Sequence, residues 1–233
     1  MTAHRSLMLA VFLTVAPFVG GPVAADPVLD FTQASAPPAF KTDSTVGWSF
    51  TVDPGSTITI GGLGIFDFGK DGLAESHRIG LWNSDTMSLL ASATISNTNS
   101  TVVASASSAG QWLFTALTSS TSTSSVDLTQ GAYVVGAFYA VNSGDSFMRT
   151  DPPITIQGVT FNEARTSSAS DLQFPGDVFN AEGGAGLFGP NLFRGAVPTP
   201  PVPEPKTYAM LMAGLVLLGF IGRRRGKSLN AAA

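Results

Sequence analysis

Between Val46 and Val52, apolar and small polar residues alternate strictly: Val46, Trp48, Phe50 and Val52 interleave with Gly47, Ser49 and Thr51. A period of two puts the two sets on opposite faces, so this segment is a half-buried strand rather than a helix. Asp53-Pro54-Gly55-Ser56 reads as a turn, and Thr57 to Phe66 as the strand that returns from it. Similar short segments follow at His77–Trp82, Leu89–Ile95, Gly110–Leu117, Ala132–Val141 and Ile154–Phe161, separated by Gly, Asn, Ser and Asp. No segment sustains a 3.6-residue period for more than two turns. The pattern predicts an all-β chain whose body, residues 26–195, is a single β-sandwich or jelly-roll domain. Trp48, Phe50, Ile65, Leu81, Trp82, Trp112, Phe114, Val135 and Phe138 are its expected core. The glycine-rich stretch from Gly183 to Phe193 reads as an irregular last strand that packs Leu187, Phe188, Leu192 and Phe193 inward.

Charge narrows the partners. Only 12% of the 233 residues are charged, against about 25% in an ordinary soluble domain. All 16 acidic residues fall within residues 26–204 with only six basic ones, which leaves that span at −10. Nucleic acid is a poor match for such a surface. With no cysteine, disulfides, thiolate zinc sites and thiol nucleophiles are excluded.

The basic residues outside the body mark its ends. Arg5 precedes an apolar run from Leu7 to Val19, and Val23-Ala24-Ala25 offers small residues where a signal peptidase cuts. Residues 1–25 therefore read as a signal helix, with cleavage between Ala25 and Asp26. Pro17, Gly20, Gly21 and Pro22 would break a longer helix. At the other end, five prolines between Val197 and Pro205 make a stiff linker over residues 196–206. An uncharged apolar run from Tyr208 to Ile221 follows, and residues 207–222 read as a transmembrane helix that is slightly short for a bilayer. The basic tail, residues 223–233, opens with Arg223, Arg224 and Arg225 and is expected in the cytoplasm.

Pro203-Glu204-Pro205, an apolar span and Arg223-Arg224-Arg225, in that order and spacing, resemble the PEP-CTERM sorting signal of exopolysaccharide-producing Gram-negative bacteria. The resemblance covers residues 202–227. It implies recognition by a membrane-embedded exosortase, which cuts near the Pro-Glu-Pro and releases or relocates the protein to the surface. Within the body, Gly64-Ile65-Phe66-Asp67, Asp71 through His77, Gly80-Leu81-Trp82 and Leu89-Leu90-Ala91-Ser92-Ala93 resemble jelly-roll domains of unknown function in bacterial surface proteins. That resemblance spans roughly residues 46–141. It implies a β-sandwich and no established activity.

Signs of chemistry in the body are sparse. Its single histidine, His77, stands without a nucleophile-elbow motif, so no catalytic residue is expected, and a partly exposed structural role is the reading. One histidine and no cysteine cannot supply the three protein ligands of zinc. Asp67, Asp71 and Glu75 are candidate Ca²⁺ ligands, since oxygen donors in a loop with Gly69 and Gly72 suit that ion. The stretch is no EF-hand: Gly69 replaces the third ligand and Arg78 stands where the bidentate glutamate belongs. A solvated acidic loop is the alternative, and no cofactor other than Ca²⁺ is in view. Trp82 and Trp112 either pack the core or form a sugar-stacking platform.

These features together point to an exported, non-enzymatic surface or extracellular-matrix protein, first anchored by its C-terminal helix and then placed at the surface or in the matrix. Signal peptidase and exosortase are its expected processing partners, and exopolysaccharide its expected associate. A secreted carbohydrate-binding module or carbohydrate-active enzyme on the same scaffold is the alternative.

Overall fold

The computed structural model describes residues 25–33, 43–117, 124–150, 153–179 and 186–198, together with Met212 and Leu215. Every element with defined bounds among them is a strand. In chain order these are β1 (Asp26–Pro27), β2 (Leu29–Asp30), β3 (Ser44–Val52), β4 (Ile58–Phe68), β5 (His77–Asn83), β6 (Leu89–Ile95), β7 (Thr101–Ala104) and β8 (Gly110–Ala116). They continue as β9 (Val126–Leu128), β10 (Gly131–Tyr139), β11 (Met148–Thr150), β12 (Ile154–Thr155), β13 (Val159–Ser168), β14 (Asp177–Val178), β15 (Gly186–Phe188) and β16 (Pro190–Arg194).

The strands build two six-stranded antiparallel sheets. One runs β1-β16-β4-β8-β7, with β9 also paired to β4; the other runs β14-β13-β3-β10-β5-β6. Two short pairs, β11-β15 and β12-β2, complete the pairing. The sheets are curled. Register shifts at Phe161/Glu163, Leu81/Trp82 and Phe193/Arg194 insert an extra residue in one strand, which bends it and increases its twist.

One hydrophobic cluster is shared by both sheets. Trp48, Phe50, Val135, Ile79 and Leu81 come from one, and Ile60, Leu63, Trp112, Phe114 and Phe193 from the other. Trp48 ties them directly, donating from Nε1 to the Pro190 carbonyl oxygen at 2.8 Å. The alternation from Val46 to Val52 appears as expected in β3, but its intervening residues Gly47 and Ser49 are buried as well. Strand β3 has both edges paired, to β13 and β10, and both of its faces are covered.

A row of glycines explains part of that covering. Gly47, Gly136 and Gly80 are direct neighbours across β3, β10 and β5. A Cβ at Gly80 would overlap the Trp82 ring, and one at Gly136 would lie 3.1 Å from Pro175 Cγ. The bare row lets Trp82 and Pro175 settle on the sheet, where Phe174 meets Trp82 edge-on at 6.1 Å. Trp82 is therefore buried outside the shared cluster, opposite its expected core neighbour Leu81. Phe138, also expected in the core, is only half-buried. The stretch read as an irregular last strand instead forms β15 and β16. Strand β16 is interior to its sheet, between β1 and β4, and Leu187, Phe188, Leu192 and Phe193 are all buried.

The expected signal helix lies outside the described residues. So does the expected transmembrane helix, apart from Met212 and Leu215, which are helical and exposed. No helix among the described residues is long and apolar enough to cross a membrane.

Candidate functional site

The end of β4 and the loop that follows it hold the sequence's candidate ligands and lead into its one body histidine. Beside it lies a cavity of about 270 Å³, lined by Phe66, Asp71, Leu73, Ala74, Asp145 and neighbouring residues. His77 opens β5 and is buried, only 1% exposed, not the partly exposed residue its position after an acidic loop suggests. Its Nε2 lies 2.8 Å from Asp145 Oδ2, and its Nδ1 lies 3.0 Å from the Phe138 carbonyl oxygen.

Both ring nitrogens are therefore engaged by partners within the body. His77 and Asp145 thus form a buried pair that joins the start of β5 to the segment after β10. The Tyr139 ring packs against the His77 ring at a centroid separation of 4.7 Å. Burial, with the nearby Asp145 charge, pushes the Tyr139 hydroxyl pKa far above its ordinary value.

Asp145 does more than balance His77. It accepts the backbone N–H groups of Ala74 at 2.9 Å and of Glu75 at 3.1 Å. Burial works against its ionised form, but the His77 hydrogen bond, these two amides and the His77 charge outweigh it. They hold the carboxyl below its ordinary 3.8. No local signal in the sequence links the two partners, which stand 68 positions apart.

The other acidic residues of the loop are divided in the same way. Asp67 lies on β4 at 2% exposure and accepts from Gly72 N–H at 3.2 Å and from Gln111 Nε2 at 2.8 Å. Asn97 completes the clamp, accepting from Leu73 N–H at 2.7 Å and donating to the Leu73 carbonyl at 2.8 Å. Asp71 and Glu75 are exposed. Among the described residues no three His, Cys, Asp or Glu side chains gather as a metal-holding group, and the trio Asp67, Asp71 and Glu75 is not brought together. Asp67 serves as an internal clamp, turned to Gly72 and Gln111, while Asp71 and Glu75 face solvent.

Neither tryptophan offers a sugar platform. Trp82 is 4% exposed and Trp112 fully buried, with its Nε1 donating to Asp30 at 3.0 Å. Asp30 also accepts from Ser105 Oγ at 2.6 Å and Ala106 N–H at 2.7 Å. It is a further structural carboxylate that sequence reading passed over.

The ends of the body complete the site. Ala25 is exposed, and Asp26 begins β1 opposite Arg194, to which it is ion-paired. Pro203, Glu204, Pro205, Arg223, Arg224 and Arg225 lie outside the described residues. Residues 201–225 match the family model of the PEP-CTERM protein-sorting motif. The chain carries a PEP-CTERM sorting signal. That signal implies export, transient membrane anchoring and sorting by an exosortase, which is the processing partner. The matched residues lie C-terminal to β16, so the PEP-CTERM tail follows the β-body and the match describes none of it. No curated protein matches the chain.

Proposed function

We propose that this chain is an exported, non-enzymatic surface or extracellular-matrix protein, a β-sandwich carried to the cell exterior by its PEP-CTERM tail and associated there with exopolysaccharide. The observation that carries the reading is the sorting motif at residues 201–225. The sandwich reading is supported by two antiparallel sheets sharing one hydrophobic cluster. In this reading signal peptidase removes residues 1–25, and the exosortase then cuts near Pro203-Glu204-Pro205. The non-enzymatic part is supported by how the body spends its polar groups. Both nitrogens of its histidine are engaged by internal partners, and Asp30, Asp67 and Asp145 clamp backbone N–H groups and side chains.

The test uses the full chain in an exosortase-positive host, beside a variant with Pro203, Glu204 and Pro205 replaced by alanine. The unmodified protein is expected in the surface and matrix fraction, and to leave it when the polysaccharide is enzymatically degraded. The variant is expected to stay with the membrane. Equal distribution of the two chains would contradict the sorting part. A surface pool that is indifferent to polysaccharide removal would contradict the matrix part.

A further inference from the structure

Residues 195–198 do not leave the body where β16 ends; they cross from β16 over β4 to β7. Gly195 N–H donates to the Thr59 carbonyl at 2.8 Å. At the crossing β4 has no side chains: a Cβ on Gly61 would overlap the Gly195 carbonyl, and one on Gly62 would overlap Val197. Val197 is half-buried and packs against the shared hydrophobic cluster. Thr101, the first residue of β7, donates its hydroxyl to the Pro198 carbonyl at 2.9 Å. The tail is thus fastened to the sheet as far as Pro198.

Pro203 follows five residues later and Tyr208 ten. Fully extended, these intervals reach only ~17 Å and ~34 Å. At the other end of the chain, Asp26 pairs with Arg194 in register and by charge. The body's first strand and its tail therefore leave from the same end of the same sheet.

We propose that this end, built from Asp26, Arg194 and the strap 195–198, is the membrane-proximal end of the body, and that the strap sets the reach of the sorting motif. While Val197 and Pro198 are docked, Pro203-Glu204-Pro205 is held within ~17 Å of the folded sheet, and a membrane-embedded enzyme must work directly against the body. Peeling residues 195–198 from β4 and β7 lengthens the tether by ~14 Å and admits the enzyme. The inference rests on the reading of the tail as an exosortase substrate.

The test is pulse-chase measurement of tail removal from the full chain in an exosortase-positive host. Inserting a short Gly/Ser segment between Pro198 and Thr199 lengthens the tether without touching the strap's contacts. It is expected to speed removal about threefold or more, as tether length governs encounter. Val197→Ser is expected to act in the same direction by loosening the strap, and deletion of Thr199 and Pro200 in the opposite one. The same insertion between Ser84 and Asp85, in the β5–β6 turn, is expected to leave the rate unchanged. Equal rates in the unmodified and lengthened chains would overturn the strap while leaving the sorting reading intact. A tail retained even in the unmodified chain would overturn both.

Discussion

Single side chains hold this body together by meeting demands that neighbouring elements create. Trp48 fills the shared core at 0% exposure and satisfies the Pro190 carbonyl of the opposite sheet. Trp48→Ala is expected to cost about 3–5 kcal/mol, the usual loss for deleting a large buried aromatic. Trp48→Phe keeps most of the volume and isolates the hydrogen bond, leaving a buried carbonyl unpaired at a cost of about 1–3 kcal/mol. Urea denaturation of both variants separates packing from polar satisfaction; an unchanged midpoint for Trp48→Phe would show that the cross-sheet bond contributes nothing. Asp145 makes the second prediction. Its carboxyl pKa is depressed in the folded chain, so its contribution is complete above the ordinary value of 3.8 and is lost as pH falls through the lower folded value. Asp145→Asn is expected to lower stability at neutral pH by on the order of 2 kcal/mol, because the amide keeps only one of the two acceptor oxygens that serve His77, Ala74 and Glu75. The variant should also lose less stability than the unmodified chain below pH ~4. Parallel pH–denaturation curves for the two proteins would contradict this account.

Among the elements, β3 and β10 depend on how closely they can approach. Gly47 faces Gly136 across the ladder, and a Cβ there would overlap the Val135 carbonyl oxygen. Backbone cannot yield as a side-chain tip can, so Gly47→Ala is expected to destabilise by about 3 kcal/mol or more. Gly55→Ala is a useful contrast: no atom stands within 4 Å of its added Cβ, so any cost comes from its φ of +80° alone. Thermal melts should rank Gly47→Ala well below Gly55→Ala, and the reverse order would remove the close-approach argument. This scale also shows what the sequence made legible. The alternation in β3 was readable because side-chain direction repeats every two residues. The placement of Trp82 was not, because Leu81 and Trp82 are equally apolar and the cover from Phe174 and Pro175 comes from about 90 residues away. His77 was misjudged for the same reason. Its burial depends on Asp145, and a pairing across 68 positions leaves no periodicity to detect. The Asp67–Glu75 spacing hinted at a metal loop, yet spacing alone cannot show that Asp67 points inward at Gln111 and Gly72 N–H.

At the scale of the whole molecule, two kinds of information lie in separate parts of the chain. The tail is a linear address, read from the order Pro203-Glu204-Pro205, apolar span, Arg223-Arg224-Arg225, and so it was legible without a fold. The body is a folded load whose Asp30, Asp67 and Asp145 carboxylates are bonded to its own backbone. The structure joins the two at one end, where β1 pairs with the end of β16 and the strap 195–198 runs on from β16 over β4. Sorting should therefore act on the chain without altering the fold: removing the tail beyond Pro198 deletes none of the body's strands or strap contacts. The most direct measurement is the intact mass of the protein recovered from the surface of an exosortase-positive host. The expected mass is that of a chain beginning at Asp26 and ending near Pro203-Glu204-Pro205; a recovered chain that still contains Tyr208–Ile221 would contradict processing by the sorting enzyme.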